Sequence, residues 1–326
     1  MTKCGQIFEG SRPHNAGHCR GEMALASVSN HDPDQRDTMS FRSGSGRIAL
    51  HDPDQRDTMS FRSGSGRMPF MTLTADIGNS HSVVGIWREG RLIDTLRLAT
   101  ESRRTADEWL LFLKGWLAGI NPGEKIDVAA VASVVPAANS AVSDAIAALG
   151  VNRCVWVSAD LGLNFTFNYP QKQTLGADRV ADMLAAVHYF GPNCIVLDFG
   201  TAITFSIVTD GAFEGGVIAP GITSSLEALF SSTAKLPKIA FHRTSRAIGK
   251  STAEAIEIGA YVGWRGVVKE ILADIKRELP AQGQNHKVIA TGGISESLDF
   301  APDFFDVVDR NLTMKGIYLA SRAQNL

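Results

Sequence analysis

Two short strings of the same plan stand out as a chemical pair. Asp76-Ile77-Gly78-Asn79-Ser80 and Asp198-Phe199-Gly200-Thr201-Ala202 each place an aspartate at the end of an apolar run, a glycine two positions on, and polar or small residues beyond it. They lie 122 residues apart. An acid that closes a buried strand is costly unless a cation or donors compensate it. The glycine lets backbone come close to a ligand. Acid, glycine and hydroxyl together suit one task, holding phosphates and their cation between two facing lobes. A plain β-turn accounts for Gly78-Asn79 alone, but not for the preceding acid or for the echo.

A third group, Gly176-Ala177-Asp178-Arg179, precedes an amphipathic stretch with Val180, Met183, Leu184 and Val187. On spacing it reads as a helix start, because Asp is a favoured residue there. Its position changes the reading. It stands 20 residues before the second acidic turn, with Tyr169 and Pro170 just upstream in a polar loop. Gly215-Gly216-Val217-Ile218-Ala219-Pro220-Gly221 and Gly292-Gly293 fit close backbone approach to a nucleotide, though neither is specific alone. Ile248-Gly249-Lys250-Ser251 mimics the end of a P-loop, but Thr244 stands where its first glycine belongs, and no strand precedes it. Zinc-ligand spacing and the G-x-S-x-G elbow are absent.

These groups need elements to position them. Leu73–Leu98 reads as three strands with turns at Gly78-Asn79 and Glu89-Gly90. A helix follows, opened by the capping box Thr105…Glu108, with Trp109, Leu110, Phe112, Leu113, Trp116 and Leu117 as its apolar face. Asp127–Pro136 is a nearly all-apolar strand, as expected where both faces of a sheet are covered. Cys194–Gly221 repeats the strand, turn, strand, hairpin plan, with its hairpin at Asp210-Gly211. A long helix runs from about Ser251 to Leu279, opened by the box Ser251…Glu254 and closed by Pro280, before a last buried strand at Lys287–Gly293. Gly259, Gly263 and Gly266 on that helix predict close helix packing, in the core or at a dimer seam.

The N-terminal segment differs. HDPDQRDTMSFRSGSGR occurs at 31–47 and again, unchanged, at 51–67. Two copies carrying only Met and Phe as large apolar residues cannot stack into a solenoid. Residues 1–67 therefore read as a disordered leader or tag outside the fold, with 68–185 and 186–326 as two lobes. The leader also holds Cys4 and Cys19, leaving Cys154 and Cys194 as two buried thiols of a reduced, cytoplasmic protein. With 32 basic and 34 acidic residues, the chain has no overall basic field to attract nucleic acid or an acidic membrane. No apolar run is long enough to span a bilayer.

In this order, D-x-G-N-[TS], S-V-V-P, Y-x-x-x-x-x-x-G-x-D-R, D-x-G-T-A, G-G-x-I-x-P-G, L-P, G-x-[ST]-T and T-G-G resemble the type III pantothenate kinases, from about Leu73 to Ala320. The resemblance implies an α/β fold of two ribonuclease-H-like (actin-like ATPase) lobes, with mixed sheets flanked by helices. It implies ATP-dependent phosphorylation of pantothenate by a cytoplasmic homodimer using Mg2+ and K+ or NH4+. Asp76, Ile77, Gly78, Asn79, Ser80, His81, Ser82 and Val83 would bind ATP, as would Thr201, with Asp76 also helping to hold Mg2+. Tyr169, Gly176, Ala177, Asp178, Arg179 and Thr252 would contact pantothenate, with Asp178 the proton acceptor. Asp198 would bind the monovalent cation. Ser206 stands where many members have Asp. The alternative is a non-catalytic regulator on the same scaffold, binding ATP or pantothenate without turnover.

Overall fold

The computed structural model describes residues 70–120, 123–162, 165–279, 285–295 and 304–322. The 17-residue repeat, Cys4, Cys19 and the helix-closing Pro280 lie outside them.

Five strands form the first sheet: β1 (Met71–Ile77), β2 (His81–Arg88), β3 (Arg91–Ala99), β4 (Val128–Ser133) and β5 (Cys154–Trp156), in the order β3-β2-β1-β4-β5. β2 runs antiparallel to both neighbours, while β1, β4 and β5 are parallel. The second sheet holds β6 (Thr166–Phe167), β7 (Cys194–Phe199), β8 (Ala202–Thr209), β9 (Ala212–Pro220), β10 (Lys287–Thr291) and β11 (Val307–Val308). Its order is β11-β10-β7-β8-β9-β6. Read from β9 to β11, order and directions repeat those of the first sheet, so the 122-residue echo is an echo of topology. This is the two-sheet α/β architecture that the resemblance implies. Both hairpins turn through two residues of positive φ: Glu89 and Gly90 at 50° and 89°, Asp210 and Gly211 at 51° and 76°. That backbone matches the twist of the flanking strands.

Parity decides which face each strand residue meets. Met71, Leu73, Ala75 and Ile77 of β1 pack outward on α1 (Ala106–Ile120) and α2 (Pro136–Ala148). Ile195, Leu197 and Phe199 of β7 pack outward on α5 (Thr252–Glu278), beside α4 (Ile222–Ser231). The opposite faces of both sheets look onto one shared pair of helices, α3 (Ala177–Phe190) and α6 (Leu312–Arg322). Ala177, Val180 and Ala181 of α3 join Ala130 and Ala132 of the first sheet, together with Met314 and Ile317 of α6. Met183, Ala185 and Ala186 of α3 join Cys194 and Val196 of the second. At Gly316 the two helices come so close that a β-carbon would run into the Ala181 carbonyl.

The Thr105 box is fully formed, with Glu108 accepting from the Thr105 amide at 2.7 Å. The Ser251 box is half formed. Ser251 caps the Glu254 amide, but the Glu254 carboxylate accepts from the Lys250 amide instead of that of Ser251. Phe112 is exposed, outside the buried stripe Trp109-Leu113-Leu117, with the Arg104 guanidinium over its ring. Cys194 is buried but Cys154 only half-buried, because β5 is an edge strand. Nothing lies within 4 Å of a β-carbon placed on Gly259, Gly263 or Gly266, so these glycines do not serve close packing inside the described chain.

Candidate active site

Asp76 shares parity with Thr72 and Thr74, and Asp198 with Cys194 and Val196, so both acids face the α3/α6 layer. α3 brings two more. Asp178 lies in its first turn, and Asp182 lies one turn later, only 1% exposed. The fold thus gathers four aspartates between the two glycine turns. Burial pushes the Asp76 carboxyl up to about 8, helped by the charges of Asp178 and Asp198, while Arg97 pulls the other way. Asp198 is raised to about 7 by burial and then by Asp178. Asp178 is raised by burial, against the Arg179 amide and guanidinium. Asp182 is also raised, by burial first and then by Asp198.

Each turn is closed by its glycine amide, Gly78 N–H donating to His81 O and Gly200 N–H to Ala202 O at 3.1 Å, the first turn being one residue longer than the second. Their tips meet, with Ser80 Oγ 2.9 Å from Thr201 Oγ1. Asn79, Ser80, His81 and Thr201 are exposed, whereas Ile77 is buried in the outer core and Val83 is half-buried. Ser82 is buried and its hydroxyl pairs with Thr100, which also donates to Gly78 O. Ser82 therefore braces the turn through Thr100, a residue that sequence reasoning passed over. Around β7, Gly292 has φ 95°, and a β-carbon there would run into the Asp198 carboxylate and the Phe199 amide.

The Arg179 amide donates to Asp178 Oδ1 at 2.7 Å. Its guanidinium lies along β8, donating from Nε to Ser206 Oγ at 3.1 Å, and sits over the Phe213 ring. Gly216 makes room for it, since a β-carbon there would meet both Phe205 O and Arg179. Ser206 is thus engaged by an arginine. Tyr169 also packs on Phe213, their ring centroids 5.4 Å apart. Tyr169, Gly176, Ala177, Asp178 and Arg179 form one neighbourhood. Thr252 does not join it. It is exposed at the start of α5, with no hydrogen bond to any of the clustered residues.

Asp182 was missed by sequence reasoning, although an acid one helical turn from Asp178 within an apolar stripe is a readable signal. Its Oδ1 accepts from Thr313 Oγ1 of α6 at 2.7 Å, while Oδ2 is buried without a partner. Thr291 Oγ1, paired in register with Asp198, is likewise buried and unpartnered. Orphaned oxygens beside a buried carboxylate fit a monovalent cation at Asp198. Among the described residues, no three His, Cys, Asp or Glu side chains converge as a protein-only metal cage. One or two carboxylates completed by substrate phosphates is the usual Mg2+ arrangement, and Asp76 fits it.

A sequence profile of the type III pantothenate kinases matches residues 72–274. The chain is 39% identical over 250 residues to a type III pantothenate kinase of Kosmotoga olearia, covering 76% of this chain and 94% of that protein. It is 34% identical over 253 residues to the one of Brevibacillus brevis, covering 76% and 97%. Among solved structures, a Baf family transcriptional activator from Campylobacter jejuni superposes with a TM-score of 0.50 at 22% identity, over 78% of this chain and all of that one. That likeness concerns the fold alone.

Proposed function

This chain belongs to the type III pantothenate kinase family and carries out ATP-dependent phosphorylation of pantothenate in coenzyme A biosynthesis, and we propose how its residues divide that work. Asp178 accepts the proton of the pantothenate 4′-hydroxyl as that oxygen attacks the γ-phosphorus of ATP and ADP leaves. Its raised carboxyl suits a base working near neutral pH. Tyr169 and the 176–179 segment, with the Arg179 guanidinium held by Ser206 and Phe213, orient the alcohol toward Asp178. The exposed tips Asn79, Ser80 and Thr201 take the triphosphate, and the buried Ile77 and Ser82 hold that turn in shape. Mg2+ at Asp76 and K+ or NH4+ at Asp198 supply neutralisation of phosphate charge when bound. Phosphoryl transfer needs little more than such positioning and charge balance.

The observation that carries this reading is the placement of Asp178 on a helix shared by both sheets, among the acids that close β1 and β7. A regulator without turnover would not need that set retained, so the non-catalytic alternative is set aside. We also propose a cytoplasmic homodimer built on the α4 and α5 faces. Leu229, Phe230, Val262 and Val267 are exposed there, and the three open glycines of α5 leave room for a close approach. The decisive test is coupled detection of ADP with and without pantothenate, in K+ and in Na+. Pantothenate-dependent turnover greater in K+ is expected; hydrolysis indifferent to pantothenate overturns the assignment.

A further inference from the structure

Four carboxylates and an incoming triphosphate crowd negative charge into one cleft, and phosphoryl transfer requires positive groups to offset it. Two arginines act on these acids, one at each end. Arg179 acts on Asp178, and its guanidinium is already engaged by Ser206 and Phe205. Arg97 acts on Asp76. It lies on β3 in the cross-strand row Asp76, Val83, Arg97, so its side chain leaves the sheet on the same face as Asp76. From there it reaches the second sheet. Its Nη1 stands 3.9 Å from where a β-carbon of Gly293 would be, at the glycine turn after β10. Arg97 is exposed and makes no hydrogen bond or ion pair among the described residues. The equivalent row of the second sheet runs Asp198, Thr204, Ile218, so the duplicated architecture does not itself call for an arginine.

We propose that Arg97 is a further substrate-contacting residue of the kinase reaction, its guanidinium gripping the triphosphate of ATP between the first sheet and the Gly292-Gly293 turn. The proposal rests on the division of the cleft given above. Pantothenate also carries a carboxylate, which the division proposed above gives to the neighbourhood of Tyr169, Arg179 and Phe213, whereas Arg97 acts on Asp76 and stands beside Gly293. A guanidinium suits this place because its planar fork can take two phosphate oxygens at once.

The test compares wild type with Arg97→Met, which keeps the stem and removes the charge, and with Arg97→Gln. Titration with Mg2+ and the non-hydrolysable analogue AMP-PNP, a parallel titration with pantothenate, and kcat are measured for each. Loss of one preorganised donor to a reacting phosphate predicts kcat/KM for ATP lower by about 100-fold, with AMP-PNP binding clearly weakened and pantothenate binding unchanged. AMP-PNP affinity and kcat equal to wild type overturn the proposal. So does weakened pantothenate binding with nucleotide binding intact, which would assign Arg97 to the carboxylate. If the Met variant folds poorly, the Gln variant is read by the same criteria. A wild-type protein that binds AMP-PNP yet shows no pantothenate-dependent turnover would sink the kinase reading while leaving the Arg97 comparison readable.

Discussion

The hydroxyls of Ser80 and Thr201 lie 2.9 Å apart, joining the tips of two turns that are 121 residues distant in the chain. A triphosphate entering between the turns has to replace this bond with its own. Thr201→Val should therefore raise KM for ATP by about 10-fold, the worth of a hydrogen bond to a charged group, while leaving KM for pantothenate nearly unchanged. Ser80→Ala should act in the same direction. The double variant should fall short of the product of the two, because the residues share one ligand. Steady-state kinetics in both substrates decides it; an equal loss of pantothenate affinity would disconnect the pair from the nucleotide.

Asp178→Asn removes the proton acceptor but keeps its shape. General-base loss predicts a kcat lower by at least about 100-fold, with a smaller change in KM for pantothenate. The pH profile gives a second reading. Burial raises the Asp178 carboxyl, and the base works only when ionised, so wild-type activity should fall as pH drops through a value above the ordinary carboxylate range. In the Asn variant this acid limb should vanish from the residual activity. Persistence of the limb would point to another group.

The crowded acids should weaken the fold when no cation is bound. Asp76 is raised from 3.8 to about 8, so between those values the folded protein keeps a proton that the unfolded chain has released. Stability is then full at low pH and declines as pH rises through this window, by up to about 1.4 kcal/mol per unit for each such proton. Asp76→Asn should accordingly raise Tm at pH 8 by a few degrees over cation-free wild type, with little gain near pH 4, and Mg2+ should narrow the difference. Thermal melts at both pH values settle the point. A variant less stable than wild type at pH 8 would refute the account.

Gly316→Ala tests the helix layer that carries Asp178. The added methyl has to displace the Ala181 carbonyl, so α6 must move off α3. Overpacking of this kind costs about 1–3 kcal/mol, and denaturant melts should show it. Because Thr313 on α6 also bonds Asp182, kcat should fall as well. Thr313→Ser, which keeps the hydroxyl, should be close to wild type. Unaltered stability in Gly316→Ala would mean that the helices are not held at this distance.

Much of this arrangement could be read from local signals. The acid-glycine turns, the capping box at Thr105 and the Asp210-Gly211 hairpin are each written in neighbouring residues, and each formed as written. The residues that escaped notice depend on distant partners. Thr100 braces the first turn from the far end of β3, Thr313 reaches Asp182 across 131 residues, and Arg97 gains its meaning only when β10 stands opposite. Phe112 misled because a helical stripe read by period alone does not say where the covering layer ends. Gly259, Gly263 and Gly266 suggested packing, and the described chain provides nothing for them to pack on.

The sharing of α3 and α6 between two sheets also governs how the protein comes into being. Strands β1 and β4 leave the ribosome early, but the second of the two helices that cover their inner face, α6, is made only after the whole second sheet. Until then, Ala130 and Ala132 have nothing to bury against on that side beyond α3. The inner face of the early half is therefore completed only by the late half, a long-range closure of the kind that slows folding. Translation that stops before Leu312 should yield a chain without its finished catalytic helix layer, so synthesis of an active enzyme is effectively all or nothing.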